Sequence, residues 1–274
     1  GDPGYLLLNW WVSEWGGDIY DVNLLCGGIF TVGLMAFSRL QPNPWLALAV
    51  AFPYLVIVLG MGYTRQGVAL GFIFFALNSL ELRHFKRYLL FIALATLFHK
   101  TAIIMIPLGI LFFGKGWLFR VIAILSAAYV LYDLLVASEV ETMWVNYVDA
   151  QVISHGARIR VSMNLVPSLI LLAYWRSWKK MFPDFWLWLA IAAGSILAVF
   201  LVEFASTVVD RISLYFIPIQ IVVFSRLPFL LRDQVSPGTL KLGIVAGYTL
   251  VLYVWLNYAI HARFWIPYQN ALFM

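Results

Sequence analysis

The sequence predicts an all-α polytopic membrane protein, and three observations carry that prediction. Hydrophobic residues make up 63% of the chain and charged residues only 11%, against about 25% charged in soluble domains. The apolar residues gather into about nine runs of membrane-helix character. The basic residues cluster between runs, as they do in cytoplasmic loops. No linker or low-complexity stretch divides the 274 residues, so residues 1–274 read as a single transmembrane domain. The lone Cys26 sits in an apolar run, which rules out a disulfide framework or a cysteine metal site. A net charge of +5 fits either loop bias or an anionic ligand.

The elements follow in order. Gly1 to Tyr20 carries Trp10, Trp11, Trp15, Asp18 and Tyr20, and reads as a turn followed by an interfacial amphipathic segment. The chain opens in mid-motif, so an upstream segment is expected to precede it. Apolar runs then cover Val22–Ser38, Trp45–Gly60, Gly62–Leu82, Tyr88–Phe113, Trp117–Ala137, Val161–Trp178, Phe185–Ser206, Ile212–Leu231 and Leu240–Ile260. Residues 138–160 form the longest polar loop.

The run Tyr88–Phe113 organises the rest. It is long enough to span, yet it holds His99 and Lys100 near its middle, where an ionisable pair costs several kcal/mol. Such a pair is either a buried structural pair, or faces a wet cavity in a straight helix, or sits at the tip of a re-entrant or broken helix. Loop charge separates these. Arg83/Lys86/Arg87, Arg176/Lys179/Lys180 and Arg226/Arg232/Lys241 are three basic clusters, all expected in the cytoplasm. Counting crossings from them puts Glu139 outside, which needs an odd number of crossings after Arg87. Two runs lie between. Either one basic cluster breaks the rule, or a re-entrant Tyr88–Phe113, with His99 and Lys100 at its tip, restores the parity and keeps Lys115 and Arg120 inside.

The same count places most remaining polar residues on the external side, where Arg should be scarce. Arg65, Arg158, Arg160, Arg211 and Arg263 stand there and need a reason. An anionic substrate in the outer leaflet supplies one. Arg65 precedes a helix start, where dipole and free N–H groups favour a diphosphate, or it snorkels to headgroups. Asp210-Arg211 serves as a cap with a headgroup contact, or as a base beside a phosphate-binding Arg. Glu203 is a base or the salt-bridge partner of Arg211, and shares a face with Asp210 if its helix continues. Tyr147, Asp149, His155, Arg158 and Arg160 belong to the long loop, most of which is a solvated face. The Trp residues are mainly interface anchors.

Five stretches in order are similar to a known family. Asp2-Pro3-Gly4-Tyr5 with Asn9 resembles the EPGY-x-x-x-N stretch of the EpsG family, Wzy-like polysaccharide polymerases of exopolysaccharide and capsule assembly. Tyr63 to Ala69, with Arg65-Gln66, resembles its F-x-RQ-x-x-A motif. Phe98-His99-Lys100-Thr101-Ala102 resembles FH-x-S/T-A. Asp210-Arg211 with Tyr215, and Pro267-Tyr268, match its later DR-x-x-x-Y and PY positions. Asp2 stands where Glu is usual. The resemblance implies a multi-helix, GT-C-like membrane glycosyltransferase of the plasma (inner) membrane. It would join repeat units carried on undecaprenyl diphosphate at the external or periplasmic face, for exopolysaccharide, capsule or O-antigen. It implies no metal and no cofactor. The implied partners are the lipid-linked oligosaccharide donor and acceptor, membrane lipids, and a chain-length regulator and flippase of the same pathway, with no nucleic acid.

On that reading His99, Asp18, Glu203 and Asp210 are the candidate acid–base residues. Arg65, Lys100, Arg211 and Arg158 are the candidate diphosphate ligands. Tyr5, Gln66, Tyr147, Tyr215 and Tyr268 are the candidate sugar contacts. A lipid-linked oligosaccharide flippase and a membrane O-acyltransferase are the rival classes. The first needs alternating access and shows no symmetry between halves. The second needs an acyl-donor route. The topology makes one expectation independent of the chemistry. Cysteines introduced at Asp149 and Met274 should react with an impermeant reagent applied from outside. Labelling from the cytoplasmic side alone, at either position, overturns the crossing count.

Overall fold

A computed structural model describes residues 2–114, 116–133 and 156–268, and those residues are helical with no strand. Three helices are long and apolar enough to cross a membrane: Ile19–Arg39, Ser206–Leu230 with its internal turn, and Pro237–Tyr258. Shorter apolar helices cover Pro44–Gly60, Lys100–Phe113, Trp117–Val130 and Phe185–Leu201.

The N-terminal stretch is more regular than its sequence suggests. It forms a 12-residue helix, α1 (Pro3–Glu14), that starts directly at Pro3, where the sequence predicts a turn. Pro3 sits in the first turn, where its fixed φ suits the helix and no N–H is missed. Asp2 holds the N-cap position, yet its side chain makes no cap hydrogen bond. It is left free for another partner.

Helix α2 (Ile19–Arg39) begins at a capping box. Asp18 accepts from the Tyr20 and Asp21 N–H groups, and Asp21 accepts from the Asp18 N–H. Helix α3 (Pro44–Ala51) runs into a π-helical stretch, Phe52–Gly60. Helix α4 (Thr64–Glu81) is apolar all round and lies at the centre, against α2 and α5 (Phe85–Phe98). Its approach to α2 is set by glycine. A Cβ on Gly71 would stand 2.9 Å from Ile29 O and Phe30 Cα, and Gly33 meets the Gly71 backbone from the other side. The backbones themselves touch, as small residues allow between membrane helices.

After α5 the chain breaks at His99, whose backbone is extended (φ −157°, ψ 111°). A 3-10 turn (Lys100–Met105) and α6 (Ile106–Phe113) then run back along α5. The Phe85 and Phe113 rings pack edge to face with centroids 5.0 Å apart. Tyr88 donates its hydroxyl to the Met105 carbonyl, and Gly109 leaves room for its ring. The run is thus a hairpin with His99 at the bend, and the chain returns to the end from which it left.

Beyond α7 (Trp117–Tyr132) the description resumes at Gly156. Most of the polar loop read over 138–160 therefore lies outside the described residues. Its end is helical, α8 (Ala157–Ser162). The run Val161–Trp178 is not one helix. It divides into the end of α8, α9 (Leu165–Ala173) and α10 (Trp175–Met181). Asn164 stands at the first break because its side chain is used elsewhere. Its amide donates to Ser213 O (3.0 Å) and accepts from Gln220 (2.7 Å), which in turn accepts from Tyr248 (2.8 Å). Helix α11 (Phe185–Leu201) stops before Glu203, and a new helix, α12 (Ser206–Ser213), follows. A 3-10 turn (Leu214–Phe216) joins it to α13 (Pro218–Leu230), and α14 (Pro237–Tyr258) flanks the bundle with few buried residues. One apolar core extends through the bundle from Phe30 to Ile244.

Arg226 is not the loop cation that its charge suggests. It lies within α13 at 3% exposure, in a bidentate pair with Asp184 at 2.7 and 2.7 Å. Gln41 accepts from its Nε, Trp188 donates to Asp184 (2.6 Å), and the guanidinium lies 4.7 Å from the Phe182 ring centroid. Glu81, at the C-terminal end of α4, feels this pair electrostatically. Arg65 lies at the opposite end of α4, about 24 Å away at 1.5 Å per residue. The bundle therefore has two polar ends.

Gly71→Ala should lower stability by about 1–3 kcal/mol through overpacking of α2 on α4. Gly27→Ala, where a Cβ meets nothing within 4 Å, should be neutral or mildly stabilising. Thermal unfolding in detergent micelles compares the two; equal behaviour would show that the glycine crossing does not hold these helices together.

Candidate active site at the bend

The bend at His99 meets the N-terminal ends of α1 and α4. Asp2, unused as a cap, accepts from Arg65 at 2.9 Å. The same carboxylate oxygen stands 3.9 Å from His99 Nδ1. Asp2 and His99 are largely buried, while Arg65 is 54% exposed and lies over the Tyr5 ring at 5.8 Å. Gln66, one residue on and buried, points inward and donates its amide N–H to His99 Nε2 at 2.8 Å. With Nε2 accepting, the imidazole is neutral and carries its proton on Nδ1. Nδ1 is buried and has no hydrogen-bond partner. Turned over, the same amide accepts from Nε2–H and leaves the Nδ1 lone pair free.

Three further elements close on this point. The 3-10 turn after His99 brings exposed Lys100 and buried Thr101, and Thr101 donates to the Tyr215 hydroxyl at 3.3 Å. Helix α12 brings Arg211. Asp2, Arg211, Arg65 and Lys100 are all near enough to act on the imidazole electrostatically. Arg211 and Lys100 are exposed and make no ion pair with any described residue. Beside them Arg160 grips Asp210 by two parallel hydrogen bonds, Nε–Oδ1 at 2.8 Å and Nη2–Oδ2 at 2.5 Å. Tyr54 of the π-helical stretch and Tyr63 at the start of α4 are near enough to influence this pair. A π-helical turn is a frequent mark of a functional site.

The arrangement gathers His99, Arg65, Lys100, Arg211, Gln66, Tyr5 and Tyr215 from the sequence reading. It does not gather all of the carboxylates. Asp18 is spent on the α2 cap and is exposed. Glu203 lies on a turn, not on a continued helix, and pairs with Arg158 rather than Arg211; both are exposed. Asp210 is not a cap, since it lies in the second turn of α12, and its carboxylate is held by Arg160. Tyr268 is exposed beyond a cis Ile266–Pro267 bond. Tyr147 lies outside the described residues. Among the described residues no three metal-ligating side chains converge.

The sequence reading sets Asp2 and Arg160 on the external side and gives neither a partner. Asp2 reaches Arg65 from its N-cap position before Pro3, and Arg160 reaches Asp210. Both are explained by pairing across long sequence separations.

Fold and site together define a multi-pass helical membrane protein with an ionisable cluster around a buried imidazole, seated where several helices end. The chain belongs to the EpsG family, whose model matches residues 1–270. It is thus a membrane-bound, glycosyltransferase-like polysaccharide polymerase of exopolysaccharide synthesis. No curated protein and no solved structure matches the chain.

The clamp on Asp210 is open to direct test. Arg160→Met leaves a mostly buried carboxylate without its guanidinium and should cost about 3 kcal/mol or more, whereas adding Asp210→Leu should recover much of that loss. Denaturant unfolding of both variants decides it. A double variant no more stable than the single one would mean that the pair is not what holds α8 to α12.

Proposed function

We propose that the chain polymerises oligosaccharide repeat units carried on undecaprenyl diphosphate, at the external face of the plasma membrane and without a metal. The single observation behind this is the cluster at the bend. A neutral imidazole, a carboxylate and three guanidinium or ammonium groups meet in a protein that is otherwise apolar and helical. Transfer of a glycan from a lipid diphosphate requires such a set. The acceptor hydroxyl attacks the anomeric carbon, the bond from that carbon to the diphosphate oxygen breaks, and the diphosphate leaves with added negative charge. Arg211 and Lys100, which pair with no described carboxylate, and Arg65, half-exposed, can stabilise that charge as it develops. The hydroxyl proton goes to His99 Nδ1 when Gln66 holds Nε2–H, with Asp2 beside the imidazole to stabilise the cation formed. Tyr5 and Tyr215 border the cluster as sugar contacts.

A GT-C-like architecture is part of the proposal, supported by helices that end at a shared polar site rather than crossing straight through. The product would be exopolysaccharide, capsule or O-antigen type. The donor and acceptor are both lipid-linked, and a flippase and a chain-length regulator of the same pathway are the protein partners to expect.

His99→Ala and His99→Gln should be inserted and folded, and each should lower polymerisation by at least about 100-fold. Arg211→Ala should impair it as well, while leaving the protein level unchanged. Polymer length is read on gels from membranes matched for protein. Near wild-type polymer from His99→Gln, or loss explained wholly by degradation, would mean that His99 is a structural residue.

A further inference from the structure

Resting on the reading of a lipid-diphosphate donor, we propose that the apolar cavity beside the cluster seats the polyisoprenoid tail of that donor. The cavity has a volume of about 220 Å³ and lies between the return arm of the hairpin with α7 on one side and α11 with α12 on the other. No charged residue lines it. Leu108 and Ala127 form one wall, Gly194 and Leu197 the other.

Its position relative to the charges is the argument. Val209 and Ile212, which line it, flank Asp210 and Arg211 on α12. Ile104, which also lines it, is on the same 3-10 turn as Lys100 and Thr101. The two elements that present cations with no carboxylate partner among the described residues thus also build the apolar space. A ligand with an anionic head and a long apolar tail, joined without a spacer, matches both. A free sugar phosphate would leave the cavity unused, and a neutral lipid would leave Arg211 and Lys100 unmatched.

A void of this kind is not neutral for the bundle. An empty apolar space forfeits the contacts its lining would make. Gly194 lets the Phe216 ring close against α11 at the edge of this space, since a Cβ there would come within 3.1 Å of that ring. In a bilayer the space is filled by some hydrocarbon, so what selects the occupant is shape and the head it carries, not hydrophobicity alone. The methyl-branched, unsaturated chain on a diphosphate is the occupant proposed, and a straight phospholipid acyl chain is the competitor.

The test uses the full chain in nanodiscs and two photoreactive probes. One is a polyprenyl diphosphate with a diazirine in the tail, and the other is phosphatidylglycerol with a diazirine in an acyl chain. The polyprenyl probe should label Leu197 and Ile124, and unlabelled polyprenyl diphosphate, but not phosphatidylglycerol, should remove the label. Ala127→Trp fills the space and should cut that labelling at least tenfold. Geranyl diphosphate, too short to need the cavity, should bind wild type and Ala127→Trp alike and lose binding in Arg211→Ala. Equal labelling by both probes overturns the proposal in favour of a bilayer lipid. Arg211-dependent binding of geranyl diphosphate with tail labelling elsewhere overturns the cavity assignment and leaves the proposed function standing. No binding of either diphosphate overturns both.

Discussion

A charge inside an apolar bundle has to be paired, and the pairing of charges decides much of this structure. An unpaired ion there loses its hydration and gains nothing in return. Arg226 meets Asp184, Arg160 meets Asp210, and Arg65 meets Asp2. Each pair joins residues far apart in sequence, so each also fixes one helix end against another. At one end the Arg226–Asp184 pair ties α13 to the start of α11, with Gln41 completing the shell. At the other, Arg160–Asp210 ties α8 to α12. Lys100 and Arg211, which pair with no described carboxylate, lie beside the buried imidazole at the bend.

The second constraint is the backbone itself. A helix broken in an apolar medium exposes N–H and C=O groups that need partners. The break at His99 is tolerable because it falls where several helix ends meet. The 3-10 turn satisfies part of the need, and the Tyr88 hydroxyl takes up the Met105 carbonyl. The same opening of the chain that requires these compensations also makes the site. It holds His99 extended, aims Nε2 at Gln66, and carries Lys100 and Thr101 to the neighbourhood of α12. Structure and function here use one irregularity.

The glycine crossing of α2 on α4 makes that irregularity possible at a distance. Close contact at Gly33 and Gly71 packs the N-terminal helices so that α4, apolar on every side, can be central. With α4 central, its first turn places Arg65 toward Asp2 and Gln66 toward His99. The proposed tail cavity lies beside this cluster, between the return arm of the hairpin with α7 and α11 with α12. The polar site and the apolar space share the hairpin between them.

The residues alone determined the class, the approximate run boundaries and the anomaly at His99. These depend on local quantities: hydropathy over a window, loop charge and the cost of an ion in a long apolar stretch. The family resemblance added Arg65, Gln66, Lys100, Arg211 and Tyr215 as candidate site residues, and the fold brings them to one bend. The run Val161–Trp178 was read as one span because hydropathy does not register the side-chain demand at Asn164, which is satisfied from α12 and α13. The carboxylates were hardest to assign, since an Asp before a helix reads alike whether it caps the helix or reaches across the fold. Asp18 does the first and Asp2 the second, and only the position of Arg65 distinguishes them. Glu203 was set beside Asp210 by helical spacing, and the turn after Leu201 removed that relation. Tertiary structure alone decided which charges pair, because pairing depends on which helix ends meet, and that is set by packing between residues up to 208 positions apart.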